Sequence, residues 1–119
     1  MKRDMDLVRK ILFAIEGAPY AMLGIDLKLD GYSTEDVQFH LELLDEANLL
    51  RMAPESYRSA QELPKPMRLT WEGCEFLDAA RNDDIWHKAK QALLPIGGFA
   101  FEILKPLLVD LVKQQVGLR

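Results

Sequence analysis

A chain of 119 residues, 49% of them apolar, fits one domain with room for an appended helix. Its net charge of -4 weighs against non-specific binding to nucleic acid or anionic lipid, and its single cysteine, Cys74, excludes an intrachain disulfide and a multi-cysteine zinc site. No stretch approaches the roughly 18 uninterrupted apolar residues of a membrane span, and the charged opening "MKRDMDLVRK" lacks the apolar core of a signal peptide, so a cytoplasmic protein is expected.

The first helix is predicted from Asp4 to Glu16. Leu7, Val8, Ile11, Leu12 and Ile15 recur at helical spacing, and Gly17 and Pro19 stop it. The period then changes. Leu23, Ile25, Leu27 and Leu29 alternate with Gly24, Asp26, Lys28 and Asp30, which predicts a strand with one buried face. Asp30-Gly31 makes a turn. In "YSTEDVQFHLELLDEANLL" Ser33 caps a second helix over 33–47. Val37, Leu41, Leu44 and Ala47 are its inward stripe, with His40 and Leu43 at the edges, and Asn48 ends it in the left-handed conformation.

Leu49 to Ala53 reads as a short strand, and "PESYRSAQELPKP" (54–66) as a proline-rich loop. Met67 to Thr70 reads as the returning strand. Thr70 caps the helix "WEGCEFLDAAR", with Trp71, Cys74, Leu77 and Ala80 on one side. Asp83 and Asp84 are expected to cap "IWHKAKQALL". Pro95, Gly97 and Gly98 break the chain before "FAFEILKPLLVDLVKQQV", a helix bent or begun at Pro106.

Two stretches carry a resemblance. "HLELLDEANLL" (His40 to Leu50) resembles the H-L-x-x-L-x-x-A-G-L ending of the recognition helix in winged-helix regulators of the arsenic-repressor and multiple-antibiotic-resistance types, with Asn48 in place of the glycine. "MKRDMDLVRKIL", "GYSTEDVQFHLELLDEANLL" and "RLTWEGCEFLDAARNDDIWHKAK", in that order, resemble a family of short bacterial and phage proteins known as a domain of unknown function. The resemblance implies a fold and a prophage-like setting, and it supplies no catalytic residue. The expected fold is mainly α with a small antiparallel β-sheet: a winged-helix-like domain over 1–82, with its wing at about 54–66, and a C-terminal helical extension over 83–119. A helix-turn-helix needs a support helix before the recognition helix. Between Gly17 and Ser33 there is room only for a turn around Tyr20 to Leu23.

Catalytic patterns are absent. The sequence has no Gly-rich phosphate loop, no H-E-x-x-H and no C-x-x-C. His40 reads as a partly buried structural histidine, His87 as solvated, Cys74 as a buried inert thiol, and no enzyme activity, metal or cofactor is expected.

Three surfaces remain. The outward face of the second helix, with Glu35, Gln38, Phe39, Glu42, Asp45 and Glu46, suits a solvated face, a protein partner or, less easily because carboxylates repel phosphates, duplex DNA. The cations Lys2, Arg3, Arg9 and Lys10 of the N-terminus and Arg51, Arg58, Lys65 and Arg68 of the wing could hold a phosphate backbone if they converge. Phe101, Leu104, Leu108 and Leu111 form an apolar stripe on the last helix, to be covered by its own domain or by a second copy, and a homodimer is expected. The functional expectation is a non-enzymatic regulator touching DNA through wing and N-terminus. The alternative is a protein-interaction module on the same scaffold, binding a phage or host protein or mimicking nucleic acid.

Overall fold

The computed structural model describes residues 1–96 and 100–117. Its element order is α1 (Met5–Gly17), α2 (Thr34–Glu46), β1 (Leu50–Met52), a 3-10 turn (Glu55–Tyr57), β2 (Pro66–Leu69), α3 (Trp71–Ala80), α4 (Asp83–Leu93), a 3-10 turn (Leu94–Ile96) and α5 (Phe101–Gln115). The protein is mainly α with one two-stranded antiparallel sheet. It divides into two compact units, Met1–Cys74 and Glu75–Arg119.

In the first unit the caps follow local chemistry. Asp4 Oδ1 accepts from the N–H groups of Asp6 and Leu7 at 2.9 and 3.2 Å and starts α1. Met5, Leu7, Val8, Ile11, Leu12 and Ile15 form its buried face, which packs on α2 and β2. Ser33 Oγ accepts from Asp36 N–H at 3.0 Å and starts α2. At the other end Asn48 takes φ 64°. Leu49 N–H reaches Leu44 O and Asn48 N–H reaches Asp45 O, a Schellman ending with asparagine in glycine's place. The buried face of α2 is His40, Leu41 and Leu44. Val37 and Leu43 are half-buried, and Ala47 is exposed rather than part of the inward stripe, because the helix stops at Glu46.

The strand expected over 23–30 does not form. The burial alternation is present, with Ile25 buried, Leu27 and Leu29 half-buried, and Asp26, Lys28 and Asp30 exposed. Leu23 departs from it: it is 66% exposed, beside a turn closed by Gly24 N–H on Ala21 O. Ile25 N–H donates to Pro66 O at 2.8 Å, but the neighbouring chain reads Pro64-Lys65-Pro66 and has no N–H at two of three positions. It accepts without donating, so no ladder propagates. The support helix of a helix-turn-helix is likewise absent, since no helix occupies 18–33.

β1 and β2 pair with Leu50 opposite Leu69, Arg51 opposite Arg68 and Met52 opposite Pro66, with a bulge after the arginine pair. Thr70 then fixes the start of α3. Its side chain donates to Asn48 O at 2.6 Å and accepts from Gly73 N–H at 3.0 Å, and its own N–H donates to Leu49 O. At 4% exposure it has little access to replacement water. Thr70→Val keeps the shape and removes both side-chain bonds, so it should lower unfolding free energy by about 2 kcal/mol in urea titrations; a change below ~0.5 kcal/mol would contradict this role.

The phase of α3 differs from expectation. Gly73, Phe76, Leu77, Ala79 and Ala80 are buried, whereas Trp71 is 76% exposed and Cys74 is exposed. Gly73 lies against the Leu49 carbonyl, which leaves no room for a side chain at that position. Cys74 is therefore not the buried thiol that its stripe suggests.

In the second unit, Asn82 Oδ1 accepts from Ile85 N–H at 3.0 Å and caps α4. Asp83 and Asp84 are not the cap; they occupy the first turn, where the helix dipole favours acids. Ile85, Trp86, Ala89 and Leu93 are buried, and α4 packs on α5. The last helix begins at Phe101, runs through Pro106, and buries Leu104 and Leu108 fully. Gly97, Gly98 and Phe99 lie outside the described residues.

Candidate functional site

Two surfaces of the first unit flank the β-hairpin. The first is its exposed ladder face. Leu50 and Leu69 bury one side of the pair of strands, so Arg51 and Arg68, one residue along, stand exposed and directly opposite each other. Like charges opposite one another destabilise a sheet unless something neutralises them. Arg51 donates to Asn48 Oδ1, and Arg68 Nη1 donates to Leu69 O at 3.0 Å. Neither partner is a carboxylate, and among the described residues no carboxylate is placed against either guanidinium.

The other two hairpin cations differ. Lys65 Nζ lies 2.9 Å from Asp26 and 3.8 Å from Glu62, and Arg58 lies 3.8 Å from Glu55. The Asp26 carboxylate, first by its hydrogen bond and then by its charge, holds the Lys65 ammonium above the ordinary lysine range. A raised lysine contributes fully below its unfolded value and loses that contribution only as pH rises through the folded one. The Asp26–Lys65 tie is therefore intact at neutral pH and weakens as pH rises through the raised Lys65 value. Arg58 and Lys65 meet around a small hollow with Leu23, Ala53, Pro54 and Leu63.

Lys2 and Arg3 are exposed ahead of α1. Arg9 lies 4.9 Å from the Phe13 ring centre and Lys10 5.2 Å from that of Tyr32, so both act on aromatic faces of their own fold. Of the eight cations, the structure brings together Arg51 with Arg68, and Arg58 with Lys65.

The second surface is a groove of about 480 Å³ between segment 25–30, the first half of α2, and residues 62–66. Among the described residues, no hydrogen bond within the chain reaches the main-chain N–H or C=O groups of residues 26–28. The sequence pattern conceals this feature, because alternation implies a paired strand. The signal that could have revealed it is the Pro-Lys-Pro at 64–66.

The α2 face divides. Glu35, Glu42, Asp45 and Glu46 are exposed as expected. Gln38 Nε2 instead donates to Pro64 O at 3.3 Å and ties α2 to the groove wall. Phe39 is half-buried rather than exposed, its ring edge-on to His40 at 5.4 Å. His40 itself is 1% exposed, and both ring nitrogens are committed to main chain: Nε2 accepts from Asp4 N–H and Nδ1 donates to Asp36 O, each at 2.8 Å. Among the described residues no group of three His, Cys, Asp or Glu side chains is placed to hold a metal ion. Among them, too, no helix is long and apolar enough to cross a membrane. Of the stripe assigned to a second copy, Leu104 and Leu108 are already fully buried within one chain, while Phe101, 4.9 Å from Phe76, and Leu111 are half-buried.

Residues 2–99 match the family described as "Hypothetical protein (DUF2513)". The chain belongs to this family. A relative from Haemophilus influenzae, described as an uncharacterized protein, is 36% identical over 95 residues, covering 78% of this chain and 79% of the relative. No solved structure matches the chain. The family match takes in α1, the groove and the whole hairpin, and ends before α5 begins.

Proposed function

We propose that the protein is a non-enzymatic regulator on a winged-helix-type scaffold that contacts the phosphate backbone of DNA through the ladder face of its hairpin. The observation that carries this reading is the opposition of Arg51 and Arg68, both exposed and, among the described residues, both without a carboxylate partner. Guanidinium forks bind phosphate oxygens, and a bound phosphate removes the repulsion between them. The helix α2 is a scaffold here rather than a reader of bases. No support helix precedes it, and its outward acids repel phosphates. Those same acids, with Asp45 and Glu46 closest in the chain to the hairpin, keep the affinity modest, in the range of about 10⁻⁴ to 10⁻⁶ M for phosphate-dominated binding.

Fluorescence anisotropy of a short labelled duplex at low salt tests the reading. Arg51→Ala with Arg68→Ala should weaken binding about ten-fold or more and flatten its salt dependence. Arg58→Ala with Lys65→Ala should change it about two-fold, because those cations already have carboxylate partners. Absence of binding by the parent protein at low salt, or retention by the Arg51/Arg68 double variant, overturns the proposal.

A further inference from the structure

The groove lies apart from the ladder face, and its chemistry is independent of DNA binding. We infer that segment 26–30 is a docking edge for an extended peptide from another protein, taken up as an added strand, with basic, acidic and basic side chains at alternate positions.

Three observations converge. The main chain of 26–28 runs without turn or bend, and among the described residues no main-chain hydrogen bond reaches it, while Ile25 N–H beside it donates to Pro66 O at 2.8 Å. Exposed N–H and C=O groups of such a segment can exchange water for another extended chain, which takes them up as one ladder. The groove of about 480 Å³ alongside has the size of a ligand site and is walled by Thr34, Val37 and Leu41 of α2 and by Leu63 and Pro64. Pro64 and Pro66 prevent the chain from closing this edge itself.

Charge selects the occupant. The exposed side chains of the edge are Asp26, Lys28 and Asp30, negative, positive and negative at a spacing of two. In an added strand the residues directly opposite share their face, so a central acid opposes Lys28 while bases two positions away oppose Asp26 and Asp30. Asp26 already has Lys65 at 2.9 Å, but its side chain is 79% exposed and remains open to a second cation. Nucleic acid would place phosphates against two carboxylates. A second copy aligned edge to edge over these three residues would place Asp26 opposite Asp30, and Lys28 opposite Lys28.

The probe is a capped synthetic peptide, Thr-Lys-Val-Glu-Val-Lys-Thr, titrated into the isotopically labelled full chain by NMR. Amide shifts should concentrate at 26–30 and on the walls at Gln38 and Leu63. A charge-reversed peptide, with Glu-Val-Lys-Val-Glu at its centre, should bind about ten-fold more weakly. Lys28→Glu, at an exposed position, should lose the first peptide and gain one with lysine at its centre. The inference is overturned by no shifts at 26–30 at millimolar peptide, by equal binding of both charge patterns, or by concentration-dependent shifts at 26–30 without peptide, which would make a second copy the occupant. Loss of DNA binding in the Arg51/Arg68 variant leaves these outcomes unchanged, so the two ideas fail separately.

Discussion

Gly73→Ala should destabilise the protein by about 3 kcal/mol and lower its melting temperature by roughly 10 °C. The sign makes this test informative. Gly73 lies inside α3, where alanine is the better helix former by about 1 kcal/mol, so propensity alone predicts stabilisation. Space predicts the opposite. A Cβ on Gly73 would overlap the carbonyl oxygen of Leu49 and crowd the carbonyl carbon at 3.0 Å. Those atoms are main chain, held by Thr70 N–H on the same oxygen, and cannot rotate away as a side-chain tip would. Relief requires the first turn of α3 to move away from Leu49, which would also strain the Thr70 bonds. Gly17→Ala is the matched control. It too occupies a helical position, but a Cβ there meets nothing within 4 Å. Calorimetry should show Gly17→Ala unchanged or slightly more stable. Equal melting temperatures for the two variants would show that the Gly73 approach to Leu49 tolerates a side chain.

That contact also explains what is hard to read in the sequence. The spacing of Trp71, Cys74, Leu77 and Ala80 and that of Gly73, Phe76, Leu77 and Ala80 are both helical, and they share two members. Periodicity shows that a helix exists but leaves its phase ambiguous when two stripes overlap. A glycine seated on a carbonyl emits no hydrophobic signal, so the pattern places Trp71 and Cys74 inward although they face outward. Segment 23–30 misleads for a related reason. Its alternation correctly marks Ile25, Leu27 and Leu29 as the less exposed side chains. Whether a strand pairs depends on donors in a neighbour distant in sequence, and here that neighbour is Pro-Lys-Pro.

What is legible is local. The caps at Asn48 and Thr70 and the turn at Asp30-Gly31 follow from chemistry within a few residues, and α1 has one unambiguous apolar stripe. The cations of the hairpin are legible as cations but not as partners. Arg51 meets Arg68 only because the ladder register is set on one side by Leu50 with Leu69 and interrupted on the other by a bulge. Arg58 and Lys65, two of the expected phosphate contacts, sit near Glu55, Glu62 and Asp26. The last helix is recognisable as too apolar to stay bare, yet its spacing does not say whether its own chain or a copy covers it.

His40 is where legibility and energetics diverge most. As a residue beside an apolar stripe it reads as a bland edge position, but the structure makes it the polar link between α1 and α2. Asp4 N–H has no acceptor inside α1, because it precedes the first turn. His40 Nε2 supplies one at 2.8 Å, and the ring must then carry its proton on Nδ1, which donates to Asp36 O. His40→Leu roughly preserves volume and removes both bonds. Asp36 O loses little, since it can still receive the helical N–H of residue 40. Asp4 N–H, part-buried against α2, loses its acceptor. An unsatisfied buried donor costs about 1–3 kcal/mol, and the apolar gain of leucine offsets only part of that. The expected net loss is about 2 kcal/mol in urea unfolding, with faster hydrogen exchange at the Asp4 amide. Replacing Asp4 by asparagine keeps a capping side chain and the same main-chain N–H, so it should leave that amide's protection in place. A leucine variant with unchanged stability and an equally protected Asp4 amide would show that packing, not the imidazole bridge, joins the two helices.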